Sequence, residues 1–272
     1  RRAEQPFHQQ ADAVPLQAVA PSRRDFGPPS AGPASVAAVA VQRRVMDLAP
    51  GDVAEEAALQ ISPVYARGSI QEGTDYLARL KPDAAQKPLL LFTRKYVAIL
   101  RGDWAEAVRL DGVQRYFEAV GFSHWTQDVT MGVVRAAQGD KAAARALAAR
   151  AIPAGRAELE QKPSASAWSY LAGAYVLTGN REEALRCARR AMELVPEASD
   201  AVAGPTYSLN YAATLAWLGD KDAALAELAR LLRTPYGENI YAAKYGLNWF
   251  PLRGDPRFEA LVNDSKNNAP LL

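Results

Sequence analysis

One cysteine and two histidines stand among 272 residues. The lone cysteine, Cys187, excludes an internal disulfide and a cysteine-based metal cluster within one chain, and it leaves the redox compartment open. Neither His8 nor His124 has ligand spacing to another His or Cys, so no metal cofactor is expected. No apolar run approaches the ~20 residues that a membrane-spanning helix needs, and the N-terminus lacks the apolar core of a signal peptide. Charge of one sign is lacking too. With 32 basic against 30 acidic residues, no global field draws the chain to nucleic acid or to an anionic membrane. The arginine pairs Arg1-Arg2, Arg23-Arg24, Arg43-Arg44 and Arg189-Arg190 are scattered and form no basic patch. Glycines stand singly and never cluster after a strand, which removes a phosphate-cradling loop.

Apolar residues make up 49% of the chain, enough for one large core or two small ones. Blocks rich in Ala, Leu, Arg and Glu combine the best helix formers, so an all-α fold is expected. Residues 1–33 carry prolines at 6, 15, 21, 28, 29 and 33 that interrupt every helical period, and they read as a linker or disordered lead-in. From Ser35 the pattern changes. Val36, Val39, Val41, Val45 and Leu48 fall on one side of a helix that ends at Ala49-Pro50, like the second helix of a hairpin whose first is degenerate. Because the chain opens on Arg1, it is read as the C-terminal fragment of a longer polypeptide.

Aligned turn glycines show a recurring helix-turn-helix unit. The turns are Ala66-Arg67-Gly68-Ser69, Leu100-Arg101-Gly102-Asp103, Ala137-Gln138-Gly139-Asp140, Leu177-Thr178-Gly179-Asn180 and Leu218-Gly219-Asp220, with glycines 34 to 40 residues apart. In each, a left-handed glycine is expected to end the first helix and the following Asp or Asn to cap the second. Glu106 and Glu183, three residues after Asp103 and Asn180, are expected to reach back to the cap. Five residues beyond each glycine stands a small residue (Gly73, Ala107, Ala144, Ala184, Ala224), which lets paired helices cross closely.

The segment from Trp168 through Leu171, Ala172, Tyr175, Gly179, Ala184, Ala188 and Ala191 to Pro196 resembles a nearly complete tetratricopeptide repeat. The next unit resembles one through Tyr211, Ala212, Leu215, Gly219, Ala224, Leu228 and Leu231, and earlier units do so more weakly. The resemblance implies a right-handed α-solenoid over residues 34–235, with longer loops where the spacing reaches 40. The tail Trp249-Phe250-Pro251-Leu252-Arg253-Gly254-Asp255-Pro256-Arg257-Phe258 is similar to the closing segment of large bacterial signalling proteins, in which such repeats follow a kinase, winged-helix or cyclase domain. Residues 236–272 are therefore expected to form a C-terminal capping segment, with Phe258, Leu261 and Val262 lying over the last hairpin.

Stacked hairpins present their first helices to a common concave surface that suits a peptide or a partner helix. The expected lining is Phe92, Thr93, Tyr96, Val129, Thr130, Val133, Ser169, Tyr170, Gly173, Leu209, Asn210, Ala213 and Trp217, an aromatic and uncharged face. Tyr96, Thr130, Tyr170, Asn210 and Trp217 are the candidate contacts, Tyr170, Asn210 and Trp217 foremost; an alternative is that Tyr96, Tyr170 and Trp217 pack only between repeats. The lysines of the family's carboxylate-clamping members are missing, so an acidic tail is not the expected ligand. Chemistry has few candidates. Cys187 reads as core, His124 as a residue beside Trp125, and Glu55-Glu56 and Glu182-Glu183 as helix-surface charge.

These readings converge on a non-enzymatic protein-interaction scaffold or sensor segment, cytoplasmic, or periplasmic should a membrane segment lie upstream, and fused to an upstream effector domain. Two alternatives stand beside it: a freestanding assembly factor for an envelope complex, and a helical-repeat enzyme with its active site in the groove.

Overall fold

The computed structural model describes residues 63–66, 68–79, 88–111 and 123–268, together with positions 40, 43, 44, 47 and 48. Its framework is set at the five turns. Gly68, Gly102, Gly139, Gly179 and Gly219 all have positive φ, between 71° and 87°, a conformation that strains any residue with a Cβ. At the last four turns the same pair of bonds closes the first helix. At Gly102, for example, the glycine N–H donates to Ile99 O at 3.0 Å and the Asp103 N–H to Ala98 O at 2.9 Å.

These turns divide the chain into helices α1 (Ile70–Arg79), α2 (Pro88–Arg101), α3 (Trp104–Leu110), α4 (His124–Ala137), α5 (Lys141–Gln161), α6 (Ala165–Thr178), α7 (Arg181–Leu194), α8 (Gly204–Trp217), α9 (Lys221–Leu231), α10 (Ile240–Tyr245) and α11 (Pro256–Asn263). Short 3-10 turns cover Leu247–Leu252 and Ser265–Asn268, and no strand occurs among the described residues. The small residue after each turn is buried, Ala107, Ala184 and Ala224 completely. Second helices start on side-chain caps: Asp103 accepts from Glu106 N, Asp140 from Ala143 N and Asn180 from Glu183 N.

The reciprocal half of the expected cap does not form. The backbone N–H of Asp103 and of Asn180 is already spent on closing the preceding helix, so Glu106 and Glu183 turn forward instead. They pair with Arg109 and Arg186, which hold both carboxyls below the usual carboxylate range. Asp220 does not cap by its side chain because its carboxylate pairs with Arg181 of the preceding hairpin.

The hairpins stack. Each of α4–α5, α6–α7 and α8–α9 packs internally, α5 and α7 pack on the first helix of the next hairpin, and the first helices α4, α6 and α8 touch in succession. The 40-residue spacings arise in two ways, only one of them the expected longer loop. Between Gly139 and Gly179 the extra residues lengthen α5 to 21 residues, with Gly155 against the Trp125 ring and Trp125 Nε1 donating to Glu158 at 2.7 Å. Between Gly179 and Gly219 they form a true loop, residues 195–203, anchored where Arg230 of α9 pairs with Glu197.

The chain after α9 lies against both ends of the stack. Trp249, Leu252, Phe258 and Val262 join Leu209, Leu228 and Leu231 in one apolar cluster, with Leu261 partly buried beside them. In the other direction, Leu247 enters a cluster with Ala98, Ile99, Ala107, Met131 and Val134 from α2, α3 and α4, and Tyr241 lies over Gly68. Buried Glu238 accepts from Trp249 Nε1 at 2.8 Å and secures the segment from within.

The lead-in 1–33 and Glu55-Glu56 lie outside the described residues, as does most of the helix expected around 36–48. Leu48, expected on a packed side, is 72% exposed. Among the described residues no helix is long and apolar enough to cross a membrane.

Candidate functional site

Three successive first helices open onto one solvent-open groove. Val129 and Val133 come from α4, Ser169, Tyr170, Gly173 and Val176 from α6, and Asn210, Ala213, Thr214 and Trp217 from α8, and Asn248 of the C-terminal segment joins the lining. The spacing of three and four within each helix puts these residues on a single face. At Gly173 the floor is narrow: a Cβ there would stand 3.1 Å from Val129 Cγ1. Tyr170 is the only titratable side chain of this lining, and burial pushes its phenol well up. Its ring packs edge-on against Trp125 at 6.0 Å.

Of the five candidate contacts, the structure brings Tyr170, Asn210 and Trp217 together. Asn210 Nδ2 lies 3.4 Å from Ser169 Oγ, and among the described residues its amide oxygen has no partner. Trp217 is committed on its polar edge, since its Nε1 donates to Leu247 O at 3.1 Å and its ring stacks on Phe250 at 6.2 Å. Thr130 stands elsewhere. It is buried, and its hydroxyl donates to Thr126 O. Leu209 is likewise internal; each lies one residue, or 100°, off the groove phase.

Tyr96 does not meet the other three. It lies in a second recess with Tyr65, Ile99, Leu100, Ala242, Gly246, Leu247 and Asn248, hydrogen-bonded to the Tyr65 hydroxyl. Burial raises its phenol to about 12. The face of α2 is covered by the chain's own residues 242–248, and Asn248 is common to both recesses. Sequence reasoning missed Val176, Thr214 and Asn248. The first two continue the face begun by Gly173 and Asn210, whereas nothing in the sequence pointed to Asn248.

Reactive groups stand apart from the groove. Cys187 is completely buried between α6 and α7, and burial pushes its thiol up to about 11. His124 is exposed at the start of α4. Lys95 is buried beside Asp111, and burial lowers its ammonium below the usual lysine range. No group of three His, Cys, Asp or Glu that could hold a metal occurs among the described residues.

Residues 165–198 match the tetratricopeptide repeat family, the stretch comprising α6, α7 and the start of the following loop. No curated protein and no solved structure gives a significant match to the chain. A repeat of this family points to protein–protein interaction in general.

Proposed function

We propose that the chain is a peptide-docking scaffold, a right-handed stack of hairpins capped by its C-terminal segment, which holds a partner segment in the groove formed by α4, α6 and α8. The observation that carries this reading is the convergence of three first helices on one uncharged, partly apolar depression. Such a surface gives contact area without the desolvation cost of buried charge. The segment proposed as the cap, 236–272, acts through Trp249, Leu252, Phe258 and Val262, which remove the apolar flank of the last hairpin from water. From the resemblance read in the tail sequence to closing segments of bacterial signalling proteins, we propose a role as the sensor or docking part of a signalling polypeptide.

The test is a pull-down with the purified chain beside a Ser169→Glu/Asn210→Ala variant whose fold is checked by circular dichroism. Both positions are partly exposed, so neither substitution should unfold the stack. A partner retained by the parent and lost by the variant supports the groove. A partner held equally by both places binding on another surface.

A further inference from the structure

We infer that the binding site is composite, with Asn248 of the C-terminal segment as one wall, and that it takes a short uncharged, apolar peptide segment whose main chain is held by the side-chain amides of Asn210 and Asn248. This rests on the groove reading above and names its ligand class.

The molecule already shows how this face holds a piece of chain. One carbonyl of its own C-terminal segment is held by a side-chain donor of the stack, Trp217 donating to Leu247 O at 3.1 Å, and the neighbouring Gly246 O is held within the segment by Arg253 at 3.2 Å. Phe250 is clasped between Trp217, stacked at 6.2 Å, and Trp104, edge-on at 5.9 Å. Leu247 fills an apolar recess on α2, α3 and α4.

The open groove continues this seat without a break, since Asn248 lines both. Asn248 is half-buried, and among the described residues its side chain has no hydrogen-bond partner. Asn210 lines the same groove, and its amide oxygen has no hydrogen-bond partner among the described residues. Two amides in the lining of one largely uncharged groove can accept from and donate to a peptide backbone. The lining carries no charged side chain, so a ligand carboxylate or ammonium would be desolvated without a counter-charge, which disfavours charged segments.

The test uses the full chain and fluorescence anisotropy with a labelled Gly-Leu-Asn-Trp-Phe-Pro-Leu peptide, and with a copy in which the first Leu and the Phe are replaced by Asp. The neutral peptide should bind at least about tenfold tighter than the acidic copy. Asn248→Ala and Asn210→Ala should each weaken it about threefold to tenfold with unchanged melting temperature. Equal binding of the acidic copy would overturn the ligand class while leaving the groove intact, provided Asn210→Ala still weakened it. Sensitivity to Asn210→Ala but not to Asn248→Ala would remove Asn248 from the site. Absence of binding at about millimolar peptide, or indifference to both substitutions, overturns the inference; the groove reading itself falls only if the Ser169→Glu/Asn210→Ala variant also retains every partner of the parent.

Discussion

Hairpins α2–α3 and α6–α7 turn on the same glycine geometry and are held in different ways. The α6–α7 pair finds its partners next door: Leu171, Tyr175, Ala184, Cys187 and Ala188 share a cluster with Trp125 and Val129 of α4 and with Ala144, Ala148 and Ala151 of α5. The α2–α3 pair has a second helix of only 7 residues. Its interior is completed by Leu247 and overlaid by Phe250 on Trp104. Nearest-neighbour stacking suffices for the first pair, as expected of a repeat array. The second adds to its contact with Met131 and Val134 of α4 a segment that arrives from the far end of the chain.

The sharpest way to break this contrast is Trp249→Ala. It removes a fully buried indole and the N–H that it donates to Glu238, so a loss of about 3–5 kcal/mol is expected in thermal unfolding. Amide exchange should accelerate in α8 and α9, whose Leu209, Leu228 and Leu231 share a cluster with the indole, and in α2 and α3 before α6 and α7. Leu247→Ala acts more locally and should cost about 2–5 kcal/mol, again with α2 and α3 losing protection before α6 and α7. Equal loss in both hairpins would show one cooperative unit and end the distinction.

Smaller effects sharpen the comparison from the other side. Gly179→Ala, at φ +78° with no neighbour within 4 Å of the added Cβ, should cost about 1–2 kcal/mol through backbone strain alone. Asn180→Ala should cost about 1 kcal/mol through its lost cap. Asp220→Ala should cost less, because its carboxylate is engaged by Arg181 in an exposed pair, worth about 0–1 kcal/mol. Cys187 supplies a readout confined to α6–α7. With its thiol buried and pushed up to about 11, labelling by a thiol reagent at pH 8 should be slow, faster in Gly179→Ala, and little changed in Leu247→Ala.

Much of the architecture was legible because its determinants are short-range. A left-handed glycine, a capping Asp or Asn and a small crossing residue act within about two turns of helix, and all five turn glycines stand where the pattern placed them. The reciprocal cap failed for a reason equally local but easy to overlook: one N–H cannot serve both the closing bond of one helix and the glutamate of the next. The groove was legible in α6 and α8, where Ser169, Tyr170, Gly173, Asn210, Ala213 and Trp217 share a face. It was less so in α4, where Thr130 was taken with Val129, and least in α2, whose face is covered.

The sequence by itself determined the helical class, the five turns and the face that each first helix turns to its neighbours, since these follow from backbone conformation and a 3.6-residue period. Tertiary structure alone decided that Leu247 reaches back to α2, α3 and α4, that Phe250 packs on Trp104, that Ala242, Gly246 and Leu247 line the recess of Tyr96, that Leu247 O occupies the N–H of Trp217, and that Asn248 lines the same groove as Asn210. Contacts between residues so far apart in the chain impose no period and need no special residue type, so they become visible only when the hairpins are assembled.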